Sequence, residues 1–274
     1  MTFLKSSLRS TPRPPPSRAE IIERTARGTA HRTLALVVRA VPYGESDLVV
    51  GLFTESLGQV AAMARRARAP GPRKLHLEPM HTLDVILQER ARASLFSLTS
   101  AAIVRPRVRL TGQLDRLQAA GSALRWVRQA TPLRTPEPDV WGLLQTLLDE
   151  LDQDRLPAVP SALLVVAGLR LLACLGYGLD LDACVVCGRP CPPDRAAHVD
   201  PVRGGLVCRR CGGAGRMLRG AIRQRLHLAI RGEAVLNEED LPALIELLES
   251  ALIAHACVKL DRGAGPSSIP GGVR

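Results

Sequence analysis

The chain has 274 residues, 46% of them hydrophobic and 23% charged, enough to bury a real core and to divide into two or three small units. Its formal charge of +11 points to an anionic partner, most economically nucleic acid. No apolar stretch reaches membrane-spanning length, since the best candidate, residues 162–176, is interrupted by Arg170. Only Lys5, Lys74 and Lys259 are lysines. A GC-rich genome accounts for that preference for arginine, but not for the excess of positive over negative charge. Aromatic residues make up only 3% of the chain, so base stacking is not the main binding mode and contacts to backbone phosphates dominate.

Residues 1–30 are rich in Pro, Ser and Arg, with Pro12, Pro14, Pro15 and Pro16 clustered. Such a segment lacks the apolar surface to fold alone and is predicted to be a mobile basic arm, with at most one helical turn over 19–27. An upstream choice of start codon would give the same appearance. Residues 1–17 carry Lys5, Arg9 and Arg13 without an apolar segment, so they do not read as a secretion signal.

From Thr33 the texture changes to short β-branched runs divided by turn residues. Strands are predicted over 34–41, 47–53, 59–65, 80–88 and 94–104, with turns at Pro42-Tyr43-Gly44, at Glu55 to Gly58 and at Arg90 to Arg92. Five short strands of this kind suggest a small antiparallel barrel, and the OB-fold, whose groove face commonly holds single strands, is the natural candidate. From Gly112 the period becomes helical. Leu114, Leu117, Ala120, Leu124 and Val127 mark one helix, and Val140, Leu143, Leu144, Leu147 and Leu151 a second, with a proline-rich breaker at 132–138 between them. Ser161 is a plausible N-cap for a third, buried helix that is apolar nearly all round and ends at Gly176. Two further helices are predicted over 218–230 and 239–258. The chain is thus predicted to be α+β and multidomain: an arm at 1–30, an OB-fold DNA-binding domain at 31–106, a helical domain at 107–260 and a flexible tail at 261–274.

Four cysteines interrupt the helical domain as two close pairs, Cys184-x2-Cys187 and Cys208-x2-Cys211, with residues 188–207 between them. Each pair can turn two thiolates toward one ion, so the spacing suits a closed tetrahedral shell, one structural Zn2+ per chain, in a knuckle spanning 182–213. Two disulfides would use the same residues, but a reducing cytosol favours metal. Four thiolates also leave no open position for a catalytic water. Cys191 is read as a bystander, and Cys174 and Cys257, in apolar helical runs, as core residues.

The basic charge is concentrated. No acidic residue lies between Glu55 and Glu78, where Arg65, Arg66, Arg68, Arg73 and Lys74 crowd a Pro/Gly loop at the barrel edge. With Arg39, Arg90 and Arg92 they are the candidate DNA contacts; the bland alternative is a solvated loop. A second acid-free span, 202–232, carries Arg209, Arg210, Arg216, Arg219 and Arg223, read either as a secondary DNA or partner surface or as solvation of helix faces.

Particular residues also carry a family likeness. Tyr43-Gly44-Glu45-Ser46-Asp47, then Leu52-Phe53-Thr54, Gly58 and the basic stretch from Arg65 to Arg68, resemble the N-terminal barrel of the bacterial recombination mediator family RecO. Leu175-Gly176-Tyr177-Gly178-Leu179-Asp180, Cys184-Val185-Val186-Cys187-Gly188 and Gly204-Gly205-Leu206-Val207-Cys208-Arg209-Arg210-Cys211 are similar to that family's helical domain and zinc knuckle. The resemblance covers roughly Thr33 to Lys259. It implies a non-enzymatic repair protein that binds ssDNA and dsDNA, anneals complementary strands and acts with RecR to load RecA on DNA coated by single-stranded DNA-binding protein. It also implies contact with that coating protein's acidic tail and a cytoplasmic, nucleoid-associated location. The loop here is rich in Arg and Pro where relatives often carry lysines, and the proline-rich arm and Gly-rich end have no counterpart.

A catalytic reading finds no support in motifs. His31, His76, His81, His198, His227 and His255 form no metalloprotease pattern, no phosphate-binding Gly-x4-Gly-Lys loop is present, and Gly44-Glu45-Ser46-Asp47 reads as a turn. The competing class is a zinc-containing regulatory or RNA-binding OB-fold protein, which the barrel and basic loop would serve equally well.

Overall fold

The computed structural model describes residues 23–25, 28–69, 75, 77–89, 94–256 and 258. Arg73, Lys74, His76, Arg90, Arg92 and Cys257, most of the N-terminal arm and the tail lie outside the described residues.

Strand β1 (Glu23–Thr25) runs antiparallel to β2 (Gly28–Tyr43). A strand therefore stands where a helical turn over 19–27 was predicted, because the edge of β2 not taken by its barrel neighbour offers backbone groups that need partners. β3 (Asp47–Thr54), β4 (Gly58–Ala64), β5 (Thr82–Glu89) and β6 (Phe96–Arg105) follow, within a few residues of the predicted strands. Their hydrogen-bonded order is β2-β3-β4-β6-β5, and β5 pairs back onto β2, so the five strands form a ring. Every pair is antiparallel except β4 with β6, which is parallel. β2 is long because it serves two neighbours, β5 along residues 29–35 and β3 along 35–43. A bulge between Val37 and Arg39 lies just past this changeover, where an extra residue bends the strand.

Alternation along the strands builds two cores. Ala35, Val37, Val50, Leu52, Val60, Leu83, Val85, Leu87 and Leu98 fill the barrel. Leu36 and Phe53 point the other way, into the helical core, where the Phe53 ring centroid lies 6.0 Å from that of Trp141. The barrel and helices thus share a buried seam, sealed by polar clamps. The Arg107 guanidinium is 1% exposed and donates to Met80 O, Thr82 Oγ1, Gln145 Oε1 and Asp149 Oδ1, while its backbone N–H donates to His81 Nδ1. Burial pulls the Arg107 pKa down, with Asp149 opposing the shift. His81 is therefore a structural acceptor. At the other end of the seam, Gln59 donates to Arg128 O and Thr131, and Gly58 (φ +65°) backs onto the Thr135 carbonyl so closely that any Cβ would collide with it.

The helices are α1 (Val108–Thr111), α2 (Leu114–Ala130), α3 (Pro138–Leu151), α4 (Pro160–Cys174), α5 (Gly220–Arg231) and α6 (Leu241–Ala256). As its apolar circumference predicts, α4 is central and packs against α2, α3, α5 and α6. Two local expectations are corrected here. Ser161 is not the N-cap: Pro160 takes the first helical position, for which its ring is pre-set, so the cap falls on Val159 and Ser161 sits inside the first turn. Cys174 is exposed rather than core, because it lies roughly 200° around the helix from buried Leu172.

Between α4 and α5 the chain forms a small sheet of β7 (Asp180–Cys184), β8 (Ala197–Asp200), β9 (Gly205–Leu206) and β10 (Arg216–Leu218), in the order β10-β8-β9-β7.

Candidate metal centre and nucleic-acid interface

β7 ends on Cys184 and β9 leads into Cys208, and their pairing brings Cys184 and Leu206 into register, so the two cysteine pairs meet at the sheet's end. Each pair sits on a tight turn. The Gly188 N–H donates to Cys184 O at 2.8 Å with φ +68° at Gly188, and the Cys211 N–H donates to Cys208 O at 2.9 Å. The sulfurs of Cys184, Cys187, Cys208 and Cys211 all lie within 4.8 Å of one another, and Cys187 Sγ is 3.8 Å from Cys208 Sγ. A tetrahedron with metal–sulfur bonds of ~2.3 Å has sulfur–sulfur edges of about 3.8 Å. The four residues therefore fit a metal ion.

Electrostatics agree with the geometry. The Cys208 N–H donates to Cys184 Sγ at 3.3 Å, and with the N–H groups of Val186 and Cys187 it pulls the Cys184 thiol down to about 6. Cys211 is pushed up to about 12, chiefly by its hydrogen bonds to Cys208 and Cys187. Both shifts come chiefly from hydrogen bonds within the four-cysteine cluster. Cys191 stays outside the cluster: its Sγ accepts from Arg223 Nη1 at 3.2 Å.

Arg223 itself corrects the sequence reading. It is 0% exposed, and its guanidinium donates to Leu181 O, Cys191 O, Pro192 O and Arg195 O, so it cannot belong to a basic surface. It fastens the cysteine-bearing loops to α5, satisfying carbonyls that the irregular backbone would otherwise leave unpaired. Arg216 pairs with Glu246 at 2.5 Å and Arg219 with buried Asp240 at 3.3 Å. Arg209 and Arg210 are exposed at the tip of the second cysteine turn. The five named arginines of the span thus divide into a fastener, two ion-paired residues and an exposed tip.

At the barrel, Arg65, Arg66 and Arg68 are exposed on the turn after β4. That turn is pinned to the β2–β3 hairpin: the Arg66 N–H donates to Asp47 Oδ1 at 2.7 Å and the Arg68 N–H to Ser46 O at 2.9 Å. Arg66 has φ +54°, a left-handed conformation that costs a non-glycine residue on the order of 1 kcal/mol and persists because its surroundings hold it. Ser46 and Asp47 are thus supports for an arginine loop. Register places Tyr43 beside Asp47, Val41 beside Val49 and Met63, and Arg39 beside Gly51 and Ala61 on the outer face of β2, β3 and β4. In the OB-fold this is the side that takes oligonucleotides. Arg39 is exposed there, and Tyr43, 60% exposed, adds an aromatic ring beside the arginine loop. Sequence reading did not single out Tyr43, although alternation from Arg39 through Val41 puts it on the same face.

Two family models match the chain, one on each part of this architecture: Recombination protein O N terminal over residues 29–107 and Recombination protein O C terminal over residues 112–254. The chain is 36% identical over 232 residues to the DNA repair protein RecO of Anaeromyxobacter dehalogenans (strain 2CP-C), covering 84% of each chain. It is 34% identical over 235 residues to that of Geobacter sulfurreducens, covering 84% of this chain and 94% of the relative.

Proposed function

The chain belongs to the recombination protein O family, and on that premise we propose that it is a DNA-binding recombination mediator in double-strand break and gap repair. The observation that carries this reading is the arginine turn, Arg65 to Arg68, held against the β2–β3 hairpin by Ser46 and Asp47 beside the strand face of the barrel. Annealing is opposed by repulsion between two phosphate backbones. A cationic barrel edge together with the Arg209–Arg210 tip would neutralise both strands and leave base pairing to select the partner. Residues 31–106 serve as the DNA-binding domain and 107–260 as the helical domain. Arg73, Lys74, Arg90 and Arg92 are further DNA contacts in this reading.

The role needs no catalytic group. Zinc is the metal best suited to the four thiolates, and it acts structurally: when bound, it cross-links the two turns that join α4 to α5. As family membership implies, the protein would bind both ssDNA and dsDNA, engage the acidic tail of single-stranded DNA-binding protein and work with RecR to load RecA, at the nucleoid. The test is annealing of complementary oligonucleotides precoated with the cognate single-stranded DNA-binding protein, over a salt series. Salt-sensitive annealing supports the mediator. Binding without annealing would return the chain to zinc-containing regulatory or RNA-binding proteins.

A further inference from the structure

A groove of about 1010 Å3 lies between the bulged middle of β2 and helix α2. Arg39 forms one wall, Gln118, Ser122, Arg125 and Arg128 the other, and Met80 lies between; among the described residues that line it, none is acidic. The spacing of 118, 122, 125 and 128 repeats once per helical turn and puts these side chains on one face of α2. Arg125 Nη2 donates to Ser122 Oγ at 3.2 Å, whereas its Nε is shut off from solvent without a partner. Among the described residues, the ion pairs engage other arginines and leave Arg39, Arg125 and Arg128 without a carboxylate. Guanidiniums sharing one groove repel unless an anion offsets them. The groove is also held open: Met80 keeps a left-handed φ of +73° while Arg107 binds its carbonyl, and Gly121 leaves space that a Cβ would share only with Met80 Cε at 3.9 Å.

We propose that this groove is a second nucleic-acid subsite, in which Arg39, Arg125 and Arg128 bind successive phosphates of a single strand continuing from the barrel face. This rests on the DNA-binding reading above. Arg39 carries the continuity, because it belongs both to the outer row with Val41 and Tyr43 and to the groove wall. An acidic peptide would meet the same charge, but the direct run from barrel face to groove favours a strand.

The test compares oligo(dT) of about 8 and about 24 nucleotides, bracketing the usual reach of one OB-fold, on the full chain and on Arg125→Gln/Arg128→Gln. The expected result is an unchanged affinity for the short strand. For the long one, affinity falls about tenfold and the salt slope becomes shallower by about 1.4, or 0.7 for each lost contact. Gly121→Leu, which fills the groove without altering charge, is expected to weaken the long strand selectively as well. Equal losses at both lengths, or none at either, would overturn the subsite. So would groove variants that change the binding of a glutamate-rich peptide and leave both oligonucleotides alone, which would assign the groove to a protein partner. Failure of the unmodified chain to bind either oligonucleotide would overturn the DNA-binding reading itself.

Discussion

The side-chain amide of Gln59, on the barrel, donates from one nitrogen to both the carbonyl oxygen and the hydroxyl of Thr131, at 2.6 and 2.8 Å, at the end of α2. Both residues are buried, and the Arg134 N–H returns a hydrogen bond to Gln59 O at 2.8 Å. The angle between barrel and helices is thus fixed by polar groups that water does not reach. Gln59→Leu leaves those acceptors unpaired, and we expect a loss of about 1–3 kcal/mol in chemical denaturation. Gly58→Ala is expected to be worse, since its Cβ meets the Thr135 carbonyl at a left-handed φ. Unchanged stability in both variants would show that the seam is held elsewhere.

Arg223 makes a contrasting test with Arg210. Arg223→Met removes the donors that hold four backbone carbonyls, that of Leu181 buried, and is expected to cost at least ~3 kcal/mol. Arg210→Met, at the exposed tip, is expected to stay within about 0.5 kcal/mol. Thermal melts of both check the distinction, and similar losses would contradict the fastening role.

The metal centre carries its own expectation. An ion bound at a thousand times its Kd adds about 4 kcal/mol to folding, so chelation should lower the melting temperature. Cys184→Ser should lower it comparably and abolish the response to chelator. A Cys184→Ser chain that melts like the unmodified protein and still responds to chelator would exclude the four-sulfur site.

Glu150 gives a pH signature. Burial holds its carboxyl above the ordinary carboxylate range, with Arg170 partly opposing the shift. The native state therefore binds this proton more tightly than the unfolded chain does. The stabilising contribution is full below the unfolded value and disappears as pH rises through the raised native one. Glu150→Gln is expected to raise the melting temperature slightly at pH 7, by no more than about 2 °C, and to give no gain near pH 4. A gain of the same size at both values would contradict the assignment.

The barrel strands and the cysteine site were legible because alternation and paired spacing are local signals. Val50 and Leu52 point inward and Cys184 stands three residues from Cys187 whatever the rest of the chain does. What sequence could not supply depends on distant partners. Arg223 looks like its arginine neighbours until the carbonyls of Leu181, Pro192 and Arg195 converge on it. Arg125 and Arg128 carry no local signal in the sequence, and they line a groove only once β2 is laid beside α2. The small β7–β10 sheet escaped notice because β9 and β10 are too short to show a period.

The most direct measurement is the salt dependence of single-strand binding for the unmodified chain and for Arg66→Glu/Arg68→Glu. With Z phosphates neutralised, log affinity falls with log salt at a slope of about −0.7Z. If the arginine turn on the barrel holds the DNA, the double variant will bind more weakly and its slope will be shallower by about 1.4. An affinity and slope equal to those of the unmodified chain would contradict the assignment of the barrel edge as the principal DNA site.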